Sequence, residues 1–143
     1  MTVAQLADLE RWAARYARAA VGAAFLSAVA GRFGLWSGRF NWDNFARFID
    51  RTAELNPFMP ASTMPFVAWA ATIVETSLGV ALIAGVSVRW AAFASALLLA
   101  WFGTAMAATA GLKSPLDYSV FSASSAALLL ALHESRTHPP ASR

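Results

Sequence analysis

Cysteine is absent from the 143 residues. That excludes disulfides, thiol catalysis, Cys-ligated zinc and iron–sulfur clusters within the chain. It leaves the redox compartment open, because a chain without thiols suits either environment. Charge is scarce as well. Asp, Glu, Lys and Arg make up 13% of the residues, against about 25% in soluble domains. Histidine occurs only as His133 and His138, one at the end of the last apolar block and one in a Pro-containing tail. Axial haem ligation needs histidines that face into a bundle, so neither haem nor metal is expected on this chain alone. No Gly-rich phosphate loop, nucleophile motif or metal-ligand cluster occurs, and no catalytic residue is assigned.

Apolar residues are abundant. They form 58% of the chain and fall in four long blocks, which points to a membrane protein rather than a large soluble core. The net charge is +3. The basic residues lie mostly at block ends, as bilayer anchors do, so nucleic acid is not an expected partner.

The stretch from Pro65 to Val86 is long enough to cross a bilayer, and it carries one ionisable residue, Glu75, near its middle. A carboxyl at that depth is retained where protein or a wet cavity shields it from lipid. Steps of three and four residues place Ala68, Ala71, Glu75 and Gly79 on one small-residue face, so Glu75 is predicted to point into a helix bundle. Two roles fit it. One is structural, with a base as partner or a hydroxyl from Thr72 or Thr76. The other is ligand binding or proton movement. Arg32, at the end of the first block, is the natural partner, since antiparallel neighbours bring those ends together. Snorkelling to the interface is its alternative role.

Residues 1–18 read as an amphipathic interfacial lead-in, with Arg11, Arg15 and Arg18 off the apolar face. Spans are expected at about 16–36, 65–86, 89–110 and 116–133. Ala28-Val29-Ala30 has the form of a signal-peptide cleavage site, but the polar region ahead of it is long for one, and a retained span is expected. Ala20, Ala24, Ala28 and Gly31 form a stripe suited to helix packing, as do Gly103, Ala107 and Gly111 in the third span. Between Asn41 and Asn56 a short amphipathic helix is predicted, with Phe45, Phe48, Ile49 and Thr52 on one face. Asp117 is expected to cap the fourth helix, with a second carboxylate at the bundle mouth as the alternative. The tail 134–143 is expected to be disordered. Trp12, Trp36, Trp42 and Trp90 fit an interfacial belt. Trp69 and Trp101 sit deeper and could line a cavity or pack against lipid. Arg89 is expected to anchor the second turn against anionic lipid headgroups.

The residues AVAGRFGLW at 28–36 and ETSLGVALIAGVSVRWAAFASALLL at 75–99 resemble the DoxX family of small four-helix membrane proteins. The resemblance covers about residues 16–133. Arg32 stands where that family usually has lysine. Some relatives look like membrane subunits of oxidoreductases, including thiosulfate:quinone oxidoreductases, and many have no established activity.

The expected architecture is therefore an all-α integral membrane four-helix bundle, one domain over residues 1–143, with an amphipathic helix in the first loop. The expected function is a non-catalytic membrane subunit of an oxidoreductase complex, more a subunit than an enzyme by itself. It would anchor redox protein partners among membrane lipids and help bind quinone, with Glu75, Arg32, Trp69 and Trp101 on the ligand or proton path. No covalently bound cofactor is expected, and oligomers are compatible with the small-residue faces. The rival readings are a carrier or binding protein for a small hydrophobic or anionic molecule, gated by Glu75, and a structural assembly factor. A bacterial-type inner membrane is expected, with both termini cytoplasmic. Arg11, Arg15, Arg18, Arg89, Arg136 and Arg143 on that side outnumber Arg39, Arg47, Arg51 and Lys113 on the other.

Overall fold

Thr2 opens the first helix. Its side chain accepts from the Gln5 amide, and its own amide donates to the Gln5 side chain, a capping box. The computed structural model describes residues 1–137, and all its long elements are helices. His138, Arg143 and the rest of 138–143 lie outside the described residues.

Helix α1 runs unbroken over Val3–Arg32, 30 residues, or roughly 45 Å. The expected interfacial lead-in and first span are one helix. No glycine or proline precedes Gly22, and Ala, Leu, Gln, Glu and Arg favour continuation. The helix stops at Arg32, short of the expected Trp36. Gly34 enters the left-handed region at φ 74°, and a Cβ there would lie 2.7 Å from the Arg39 carbonyl oxygen. A single 3-10 turn, Leu35–Ser37, follows.

Asn41 caps α2, Trp42–Leu55, by accepting from the Asp43 amide at 2.9 Å. This is the predicted amphipathic helix. Phe45 and Thr52 are buried where it packs on α3. Helix α3 spans Met64–Ala84 and α4 spans Val88–Ala110, with Gly85 (φ 77°) and Ser87 (φ 47°) in the turn between them.

Two stretches, Ala61–Ala84 and Val88–Ala110, are long and apolar enough to cross a membrane. Only 28% of each apolar window is buried inside the protein. Their outward residues include Phe66, Ile73, Val80, Phe93, Leu97 and Trp101. Helices this apolar on their outer faces match lipid as the surrounding medium.

The expected fourth block divides. Lys113–Asp117 form a short helix, α5, in which Lys113 donates to Asp117. Asp117 therefore ends α5 and does not cap the next helix. Ser119 at φ 54° separates it from α6, Val120–Thr137. Residues 134–137, expected to be disordered, extend α6.

Helices α1, α3, α4 and α6 contact one another in the cyclic order α1–α3–α4–α6–α1. The α1–α3 crossing is a glycine pair. A Cβ on Gly22 would lie 3.1 Å from the Gly79 carbonyl oxygen, and one on Gly79 would lie 3.1 Å from that of Gly22. The packing face of α1 is thus Val21, Gly22 and Phe25. Ala20, Ala24, Ala28 and Gly31, expected to pack, are exposed. Across α4–α6, the Phe121 ring covers Gly103, and the Ser124 hydroxyl donates to the Ala96 carbonyl at 2.8 Å. Of the third-span stripe, Gly103 is buried while Gly111 is exposed beyond the helix end.

Candidate functional site

The last residue of α1 meets the middle of α3. Arg32 ends α1, and Glu75 lies 43 residues later on the buried face of α3 with Ala68, Thr72 and Gly79. One nitrogen of Arg32, Nη2, donates to both carboxylate oxygens, at 2.6 Å to Oε1 and 2.7 Å to Oε2. Nη1 donates to Thr72 Oγ1 at 3.1 Å. The Thr72 hydroxyl passes its own proton to the Ala68 carbonyl at 2.8 Å, which leaves its oxygen free to accept from Arg32. Side-chain exposure is 11% for Arg32 and 2% for Glu75. Thr76 turns away and donates to the Thr72 carbonyl.

One ring of α2 lies over the pair, and it joins a cluster of rings from the C-cap of α1, from α2 and α3, and from the loop before α2. The guanidinium carbon lies 3.9 Å from the centre of the Phe48 ring, a cation–π contact in a dry setting. Phe33, next to Arg32 in the chain, stacks on Phe45 at 5.3 Å and on Phe40 at 5.7 Å. Phe45 also meets Trp69 of α3 at 4.6 Å, and Trp42 lies 6.5 Å from Trp69. Phe45 is buried, whereas Phe40, Trp42 and Trp69 keep 55%, 58% and 42% of their surface. The ion pair is therefore covered by Phe48, which joins through Phe45 a cluster of rings whose outer members remain open.

This constellation makes chemical sense as a unit. A guanidinium or a carboxylate left alone at this burial would cost several kcal/mol, and pairing with full hydrogen bonding offsets that. No buried side-chain nitrogen or oxygen among the described residues lacks a partner. Both Glu75 oxygens are engaged by Arg32, so the carboxylate is held in place.

The remaining sequence candidates are dispersed. Trp69 joins the aromatic cover. Trp101 lies elsewhere, in an apolar groove of about 310 Å³ with Leu55, Pro57 and Phe58. Arg89 is in the first turn of α4, at the other end of α3, with its guanidinium 4.8 Å from the Trp90 ring centre. Reasoning from sequence placed Phe45 and Phe48 on one helix face but assigned no site role to them, to Phe33 or to Phe40. The available signal was the density of Phe and Trp from Phe33 to Phe48, directly after Arg32.

Residues 10–117 match the family of methylamine utilisation protein MauE. That is a membrane-protein family, and it is not the DoxX family that the sequence resembles. No curated protein and no solved structure matches the chain. The matched region takes in most of α1, all of α2 to α5, and every residue of the ion pair and its aromatic cover. The chain belongs to the MauE family, and it is a membrane protein.

Proposed function

We propose that the chain is a non-catalytic membrane subunit of an oxidoreductase complex, which anchors redox partners at the bilayer and offers a seat for quinone. One observation carries this reading: the half-open aromatic cluster of Phe40, Trp42 and Trp69, tied through Phe45 and Phe48 to the buried ion pair. A quinone is a flat apolar ring with two carbonyl acceptors. Aromatic side chains receive such a ring by offset stacking, and indole N–H groups can donate to its carbonyls. The Arg32 donors are directed at Glu75 and Thr72, so Arg32 supports the cluster through Phe48 and does not donate to the ligand. The family name adds a chemical context. Methylamine is an oxidisable amine, so a redox setting is compatible with that name.

The same reading takes the chain as one domain and a four-helix bundle in the inner membrane, with α1 and α6 as the first and last spans and both termini cytoplasmic. The DoxX resemblance agrees with that topology. Arg89, stacked on Trp90, serves as a lipid headgroup contact.

A second reading, binding of a small hydrophobic molecule, is favoured by the apolar groove beside Trp101 and Phe58. Gentle purification of the full chain from its membrane, followed by identification of co-purifying proteins and solvent-extractable molecules, separates the two. Redox proteins together with a quinone that is lost in Trp69→Ala support the subunit reading. A hydrophobic molecule lost in Trp101→Ala, without redox proteins, would replace it with the second.

A further inference from the structure

At the opposite end of α3, three arginines of α1 face the turn into α4. Arg11, Arg15 and Arg18 recur at steps of four and three residues, so they share one face of the helix. With Gly85, Val88 and His133 they line a cavity of about 360 Å³, to which α1, the α3–α4 turn, the start of α4 and the end of α6 all contribute. Arg11 pairs with Asp8, and the Arg15 guanidinium lies 5.5 Å from the Trp12 ring centre. Arg18 is half-buried and has no hydrogen bond or ion pair among the described residues. Its guanidinium rests against bare backbone, since a Cβ on Gly85 would lie 2.8 Å from Nη1. Glu134 is the one carboxylate in the lining, and it has a partner already.

The field in this cavity is therefore cationic. The N-terminal end of α4 meets the C-terminal ends of α3 and α6 there, so the helix dipoles oppose one another and the arginines supply the charge. The turn joins α3 and α4, both long and apolar enough to cross the bilayer, which places the cavity at a membrane face.

We propose that this cavity binds a phosphate group, carried by an anionic phospholipid headgroup or by a soluble phosphate ester. Guanidinium groups present paired donors that match phosphate oxygens. Arg18 supplies the half-buried contact, and Arg15 and Arg11 supply charge along the approach. Ala14 and Val88 give the wall an apolar side suited to glycerol or to the first carbons of a chain.

The test uses the full chain in detergent with two probes. Phosphatidylglycerol is compared with phosphatidylcholine by native mass spectrometry. Inorganic phosphate is compared with chloride, at equal ionic strength, by thermal unfolding. A lipid site predicts a preference for phosphatidylglycerol that falls roughly tenfold or more in Arg15→Gln with Arg18→Gln. It predicts no change in Arg39→Gln with Arg51→Gln. A soluble-ester site predicts instead that phosphate raises the melting temperature of the wild type and not that of the Arg15/Arg18 variant. Modification by phenylglyoxal, an arginine reagent, gives a readout that needs no variant. The effective probe should slow modification of Arg15 and Arg18 and leave Arg39 unaffected. A wild type that shows no lipid preference, no phosphate stabilisation and no protection of Arg18 would overturn the proposal. Equal responses from the wild type and the Arg15/Arg18 variant would overturn it too.

Discussion

Glu75 and Arg32 stabilise one another, so either removed alone should cost more than both removed together. Glu75→Gln leaves the guanidinium beneath Phe48 without its counter-charge. The expected loss is about 3 kcal/mol, at the low end for a broken buried pair because Arg32 keeps some exposure. Arg32→Gln added to it should recover part of that loss, read as a positive coupling in thermal unfolding in detergent. Strictly additive losses would mean that the two side chains do not act as a pair. Thr72→Val removes one acceptor from Arg32 and should cost about 1.5 kcal/mol, below Glu75→Gln, since a neutral acceptor of a guanidinium N–H contributes less than the carboxylate counter-charge. Glu75 was legible in the sequence because a lone carboxyl in an apolar run stands out. Its geometry was not, because the direction taken by Arg32 depends on where α1 stops.

Between elements, the α1–α3 crossing depends on the absence of two side chains. Gly79→Leu would drive carbon into Leu26, whose side chain already lies 2.9 Å from a Cβ at position 79. The helices must then separate, and a loss of about 1–3 kcal/mol is expected, as for overpacked cores. Ala20→Leu, on the exposed side of α1, should leave the melting temperature of the isolated protein nearly unchanged. Equal losses from both variants would mean that the packing face of α1 is wrongly placed. Helix α2 can be tested in the same way. Phe45 is buried and touches Phe33, Phe48 and Trp69. Phe45→Ala should loosen the aromatic cover, seen as faster proteolysis within residues 37–63, at a cost of about 3 kcal/mol. The amphipathic pattern made α2 legible. The packing face of α1 was illegible because alanine occurs all round it, and a run of alanines has no preferred side.

For the whole molecule, the absence of cysteine makes topology directly measurable. Ser37→Cys and Ser135→Cys each introduce a single thiol, one in the first loop and one near the end of α6. An impermeant maleimide added to intact cells should label Ser37→Cys and spare Ser135→Cys until the membrane is opened. The reverse pattern would place the termini outside and undo the orientation inferred from Arg11, Arg15 and Arg18. Labelling of both from one side would show an even number of crossings between them, in place of the three expected.

Composition and the length of the apolar runs pointed to an all-α membrane protein, and the family match and the outward apolar surface of α3 and α4 agree with it. The runs also singled out Glu75, because burying a carboxyl in such a run is costly. Tertiary structure decided the rest. It showed that α1 is one helix from Val3 to Arg32, that Ser119 divides α5 from α6, and that Val21, Gly22 and Phe25 are the residues of α1 that pack. It brought Phe48 over Arg32, joined Phe33 and Phe45 to that ring, and kept Trp101 apart. The physical reason is common to these cases. Hydropathy records how much surface a helix must hide from water, and in a bilayer every outward face may be apolar. Which face meets another helix is then settled by steric fit and hydrogen bonding between residues distant in the chain.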